Sequence, residues 1–262
     1  MQPSLLRHSP HPHSRKYKLR PSDRSHWLVQ AAKPMLMASA EPVPSAVDLA
    51  LHWYTGIRDQ GQEGACTGFS TANFREILWS TLNQQRIPAR LSPAYLYART
   101  RMAEGTWPSD SGAMMADEFA VLHGYGVCHE DDMPYDVDPA EAIPNIADAA
   151  AVPFRCGPPC TVDMSNPDNA KAVLANGMPI GIAIPVYQSF EDVGSDGILP
   201  IPDPSREALL GGHGLCLAGY KMIGDQLYYR GINQWGTGWG EFGYFWMPAG
   251  YTFWEAWTAP KS

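Results

Sequence analysis

A chain of 262 residues, with an apolar share of 45% and a charged share of 18%, has the composition of a folded protein with a substantial core. A net charge of −8 argues against nucleic acid as the main partner. No run approaches the ~18 apolar residues of a membrane helix, so no membrane association is expected. Five cysteines (Cys66, Cys128, Cys156, Cys160 and Cys216) are an odd count, which makes a poor disulfide framework and leaves at least one free thiol.

Residues 1–45 read as an extension rich in Pro, His, Ser, Arg and Lys, and residues 46–262 as the folded body. His8, His11 and His13 read as part of a solvated basic tail, not as metal ligands. The extension is basic but has no continuous apolar core, so it is not a secretory signal. A cytoplasmic location, or export without a cleavable signal, is expected. Its Arg7, Arg15, Lys16, Lys18, Arg20 and Arg24 oppose the charge of the acidic body, and Trp27-Leu28-Val29 and Met35-Leu36-Met37 are its candidate apolar anchors.

The stretch "RDQGQEGACTGFSTANF", residues 58–74, is a glycine-dense loop that runs into a helical pattern at Cys66. Phe74, Ile77, Leu78 and Leu82 share one face. Ala65, Thr67, Gly68, Ser70 and Ala72 are small, which suits a helix start pressed against other backbone. A second helix is predicted near residues 113–122, stopped by Gly124 and Gly126, and a third near 168–176. The C-terminal third reads as strands: residues 179–186, then a hairpin over 213–235 with its turn at Gly224-Asp225. Helices first and strands after favour an α+β fold. The midpoint of His213 and Asn233 is residue 223, at the Ile223-Gly224 turn, and residues equidistant from a hairpin turn face each other, so the two are expected to be cross-strand neighbours.

A thiol at a helix N-terminus gains thiolate character from free N–H groups and the helix dipole. A nearby histidine can take its proton, and an asparagine carbonyl can orient the imidazole. Cys66, His213 and Asn233 supply these parts. Gln60, six residues before Cys66, supplies an amide that with the Cys66 N–H would form an oxyanion hole. No metal or organic cofactor is required by such a set.

"DQGQEGAC" (59–66), "GGHGLCLAGY" (211–220), "GINQWGTGWGEFGYFWMP" (231–248) and "GVCHEDDMPYD" (126–136) resemble the glutamine–nucleophile, histidine, asparagine and linking segments of papain-like cysteine peptidases. The resemblance implies a two-lobed fold with the nucleophile on a helical lobe, His and Asn on a sheet lobe, and a peptide-binding cleft between. It implies catalytic roles for Cys66, His213, Asn233 and Gln60, shielding of the His–Asn pair by Trp235, and backbone pairing with substrate at Gly112 and Ala113. Gly211 and Gly212 suggest an open pocket beside the histidine. Glu63 stands where animal and plant members have a cysteine, Thr67 where they have tryptophan, and Gln234 where they have serine. "ACT" and "YFWMPAGY" look more like bacterial and archaeal members, which suggests a prokaryotic source. The expected activity is that of a thiol endopeptidase on peptide or protein substrates, acting as a monomer. The alternatives are amide or acyl transfer, such as deamidation, on the same triad, and a non-catalytic peptide-binding homologue. Because family members are commonly made as zymogens, residues 1–45 are expected to act as a short inhibitory pro-segment. Cys156 and Cys160 in "RCGPPC" read as two free thiols in a surface turn.

Overall fold

Helix α1 (Cys66–Asn83) begins at Cys66 itself, where the glycine-rich loop ends. Its N-cap, Ala65, provides no side-chain hydrogen bond, so the first turn keeps backbone N–H groups without a side-chain acceptor. Every residue from Cys66 to Leu78 is buried, polar ones included, because the helix runs between other elements. The run of small residues permits this close packing. A Cβ on Gly68 would stand 2.6 Å from Pro93 O, where helix α2 (Pro93–Ala103) crosses. Pro93 opens α2 in the first turn, and Ser92 caps it by accepting from Tyr95 N at 3.0 Å. Helix α3 (Met115–Gly124) completes this lobe, two residues later than the pattern suggested. Phe74 and Phe119 meet edge to face at 4.9 Å, and burying each such ring contributes about 2–3 kcal/mol. Leu82, grouped with that face by spacing, is instead exposed.

The computed structural model describes residues 17–23, 25–35, 43–135 and 142–260. Helix α4 (Pro167–Ala175), capped by Asn166, precedes an antiparallel sheet formed by β1 (Ile180–Tyr187), β2 (Leu209–Ile223), β3 (Gln226–Ile232), β4 (Tyr244–Pro248) and β5 (Glu255–Thr258). Their order is β5-β1-β2-β3-β4, extended beyond β5 by the short strands Cys160–Thr161 and Lys33–Pro34. One core fills the helical lobe around Phe74, Ile77, Phe119 and Leu122. A second, around Ile182, Leu215, Tyr229 and Phe245, belongs to the sheet.

The hairpin forms as expected, but its register differs. Ile223 pairs with Gln226, and a bulge between Leu217 and Gly219 moves the pairing to Cys216 with Ile232. His213 therefore has no cross-strand partner at Asn233. Asn233 has already left β3, and its N–H donates to Gly243 O at 2.9 Å.

Residues 17–23 and 25–35 are packed against the body. Leu19 and Leu28 are buried, and a short helix, Trp27–Ala31, lies beside α3 with His26 Nε2 at 2.9 Å from Asp117. Of the candidate anchors, Leu28 is buried whereas Trp27 is 61% exposed. Leu36 and Met37 lie outside the described residues, as do His8, His11, His13, Arg7, Arg15, Lys16 and Arg24.

Candidate active site

Cys66 heads α1 and is fully buried. Burial pushes its thiol up to about 12, against the pull of the Gly214, Thr67 and Cys66 backbone N–H groups. The nucleophile candidate is thus a neutral thiol in this closed arrangement, not the thiolate that its helix position alone would favour.

His213 lies on β2, and its Nε2 is 3.0 Å from Asn233 Oδ1. The same Asn233 oxygen accepts from the Gln234 backbone N–H at 2.9 Å, and a backbone N–H can only donate. That contact fixes which end of the Asn233 amide is oxygen. His213 Nε2 must then carry the proton, which leaves Nδ1 as the basic nitrogen. Trp235 stacks on the imidazole with centroids 4.8 Å apart and planes 30° apart. The indole covers one face of the imidazole, and Phe190 meets both rings edge to face.

Gln60 is placed by a buried scaffold. Arg58, two residues earlier, pairs with Glu76 of α1 at 2.5 Å and donates to Leu91 O at 2.8 Å. Gln60 N donates to Gln234 O at 2.9 Å, and Tyr135 OH donates to Gln60 O at 2.8 Å. The side-chain Nε2 gives one hydrogen to Glu63 O at 2.8 Å. The amide carries a second hydrogen, the one that the oxyanion role expected of Gln60 would use.

Between the two lobes runs residues 17–20 of the chain itself. Lys18 pairs with Gly212 in a parallel bridge, and Arg20 N–H donates to Ala113 O at 3.2 Å. Gly112, at φ +71°, lies so close that a Cβ there would stand 1.9 Å from Lys18 O. Tyr17 packs against His213 and Trp235 at 6.2 and 5.8 Å, and its hydroxyl donates to Glu191. Leu19 presses its methyls toward Gly212 and Gly214. Gly112, Ala113, Gly212 and Trp235, singled out as substrate-binding, all line this segment, whereas Cys66, His213, Asn233 and Gln60 gather at the Gln234 crossing.

Residues 43–255 match the family model described as papain family cysteine protease. The chain belongs to the papain family. It is 32% identical over 207 residues to an uncharacterized peptidase C1-like protein of Acanthamoeba polyphaga mimivirus, covering 74% of this chain and 64% of that one. It is 30% identical over 218 residues to cysteine proteinase B of Leishmania mexicana, covering 79% and 45%. The chain therefore spans from under half to under two thirds of the length of these relatives. Xylellain, a cysteine protease from Xylella fastidiosa, superimposes with a TM-score of 0.81 at 26% identity, over 94% of this chain and 96% of that one. Digestive procathepsin L 3 of Tenebrio molitor shares the fold, with a TM-score of 0.72 at 21% identity over 93% and 76%. The two-lobed α+β architecture is that of papain-family proteases. The bacterial and archaeal leaning of the sequence motifs is not borne out by these relatives.

Against the papain-family pattern, three departures acquire positions. Glu63, in place of a cysteine, has its carboxylate 3.9 Å from the Arg101 guanidinium. Gln234, in place of serine, donates from Nε2 to Gly214 O at 2.8 Å and lies 3.5 Å from Cys66 O, tying the nucleophile helix to the histidine strand. Thr67, in place of tryptophan, is buried near Glu118 of α3. Burial pushes the Glu118 carboxyl up to about 8, so it is neutral at pH 7. Sequence reasoning missed Glu118, Asp110, Glu104 and Tyr17 as parts of the site. "DSG", which ends at Gly112, the glycine expected to pair with substrate, is a usable signal for Asp110. Nothing in the sequence singled out Glu104 or Glu118. All five cysteines are free, but Cys156 is buried in the helical core, so the pair does not form one surface turn.

Proposed function

We propose that this protein is a cysteine endopeptidase whose own residues 17–20 hold it closed. Cys66 Sγ attacks the peptide carbonyl, forming a C–S bond as its proton passes to His213. The tetrahedral oxyanion is met by the Cys66 N–H and the Gln60 amide. His213 returns the proton to the leaving amine as the C–N bond breaks, giving a thioester. His213 then takes a proton from water, which attacks the thioester and releases the acid and the free thiol. Asn233 keeps the imidazole in the tautomer that this shuttle requires.

The observation that carries the reading is the His213–Asn233–Gln234 hydrogen-bond chain, which leaves one basic ring nitrogen on the strand beside the helix N-terminus that bears Cys66. Inhibition by residues 17–20 is supported by their course along the walls that a substrate backbone would need. It is also supported by the likeness to proteins named as proforms and procathepsins. Cys66→Ala is expected to abolish hydrolysis and labelling by an epoxide thiol trap. Substitution of Cys128, Cys156, Cys160 or Cys216 is expected to leave turnover within a few-fold. Wild-type turnover in Cys66→Ala would refute the mechanism.

A further inference from the structure

We propose that the cleft selects peptides by a cationic side chain, lysine or arginine, seated at Asp110, with Glu104 as a second, weaker seat. The proposal rests on the peptidase reading and names the substrate class of that same site.

Lys18 Nζ donates to Asp110 Oδ2 at 3.1 Å and to the Asp110 backbone carbonyl. The other carboxylate oxygen is held from behind. Tyr97 OH donates to Oδ1 at 2.7 Å, and the Gly64 N–H donates to it at 2.9 Å. These donors come from α2 and from the loop leading to Cys66, so the carboxylate is oriented by parts of the fold other than residues 17–20. The Asp110 side chain is only 17% exposed, which keeps the ion pair partly shielded from water and salt. Charge-assisted bonds of this kind are the stronger and more selective ones.

The seat lies where a substrate must pass. Lys18 runs between Gly112 and Gly64, and Cβ positions on both would fall within 3 Å of it. Gly64 is two residues before Cys66, and Gly112 two after Asp110. A peptide that displaces residues 17–20 and reaches Cys66 places its own side chain in that gap, facing Asp110. Glu104 repeats the arrangement. Its Oε1 accepts from Met114 N–H at 2.8 Å, while Oε2 pairs with Arg20. The two seats serve residues two apart in the occupant, and the intervening Leu19 turns to the glycine wall of β2. An extended chain has this spacing, since alternate side chains share a side.

The test uses the full chain with Lys18→Glu and Leu19→Asp, which sets a like charge against Asp110 and an ion against the apolar wall. Fluorogenic peptides carry Lys, Arg, norleucine or Glu at each position in turn on the amino side of the scissile bond. At one position Lys and Arg are expected to exceed norleucine in kcat/KM by about tenfold or more, with Glu the poorest. The ratio of Lys to norleucine should fall with salt and collapse toward unity in Asp110→Asn. A smaller preference at a second position should depend on Glu104→Gln. Equal cleavage of Lys and norleucine peptides at every position overturns the proposal and leaves the peptidase reading standing. A Lys preference that survives Asp110→Asn overturns the assignment of the seat. No cleavage of any peptide, with no labelling of Cys66, overturns both readings. The peptide profile with Asp110 intact decides the matter even if Asp110→Asn fails to fold.

Discussion

On the sheet wall of the cleft, Gly211 and Gly212 meet residues 17–19 so closely that added Cβ atoms would stand about 2.5 Å from Tyr17 and Leu19. On the helical wall, the same segment meets carboxylates, Asp110 for Lys18 and Glu104 for Arg20. The sheet wall works by lacking side chains, so it sets where a backbone passes and is indifferent to most of what that backbone carries. The helical wall works by presenting charge, so it discriminates. A change in the first should affect every ligand alike. A change in the second should alter the ranking among ligands.

The largest effect should come from closing the sheet wall. Gly212→Val would drive side-chain atoms into the space of Leu19 O, 2.5 Å from the Cβ position, and of Trp254 at the same distance. In the chain opened by Lys18→Glu and Leu19→Asp, kcat/KM should fall on the order of a hundredfold for Lys and norleucine peptides alike. A loss confined to one peptide class would break the distinction between the walls. Neutralising the helical wall should do less. Asp110→Asn in the otherwise unsubstituted chain should weaken the hold on Lys18 and raise the rate of Cys66 labelling by about tenfold or less. An unchanged rate would show that Lys18 contributes nothing to closure.

The smallest effect concerns a carboxyl buried on α3. Glu118 has an ordinary value of 4.5 and is pushed up to about 8 by burial, so the folded state keeps a proton that the unfolded chain releases in that window. The stability this contributes is fully present below pH 4.5 and is lost as pH rises through about 8. Glu118→Gln should flatten the decline of Tm between pH 5 and 8, a change of a few degrees, with no change in peptide ranking. A Tm slope identical to wild type would show that Glu118 is not the titrating group.

What was legible in the sequence was what local chemistry announces. The glycine loop, the small residues after it and the apolar spacing from Phe74 to Leu78 marked Cys66 as a helix start. Gly224-Asp225 marked the hairpin turn. The meeting of His213 with Asn233 is foreseen for a reason that does not hold, since the strands pair about Gly224-Asp225 and not about residue 223, and Asn233 reaches the ring from beyond its strand. Residues 17–20 were read as belonging to an extension because Lys18, Leu19 and Arg20 carry no periodicity of their own. Their order is imposed by Asp110, Glu104 and Gly212, which lie 92, 84 and more residues away along the chain. Glu118 looked like the polar face of a helix. It is buried, with Thr67 of α1 and Thr100 of α2 beside it. Contacts between distant residues without a motif are the part that only the folded chain supplies.

Closure by residues 17–20 is tested most directly by the rate at which an epoxide trap labels Cys66 at pH 7. The comparison is between the unsubstituted full chain and the chain with Lys18→Glu and Leu19→Asp, with the labelled residue read by mass. Burial holds the thiol up near 12, so the unsubstituted chain should label slowly, with a rate that climbs into alkaline pH. Displacing the segment should expose the thiol to water and to the His213 base, and raise the rate at pH 7 by about tenfold or more. Equal rates in the two chains, with Cys66 labelled in both, would contradict closure by residues 17–20.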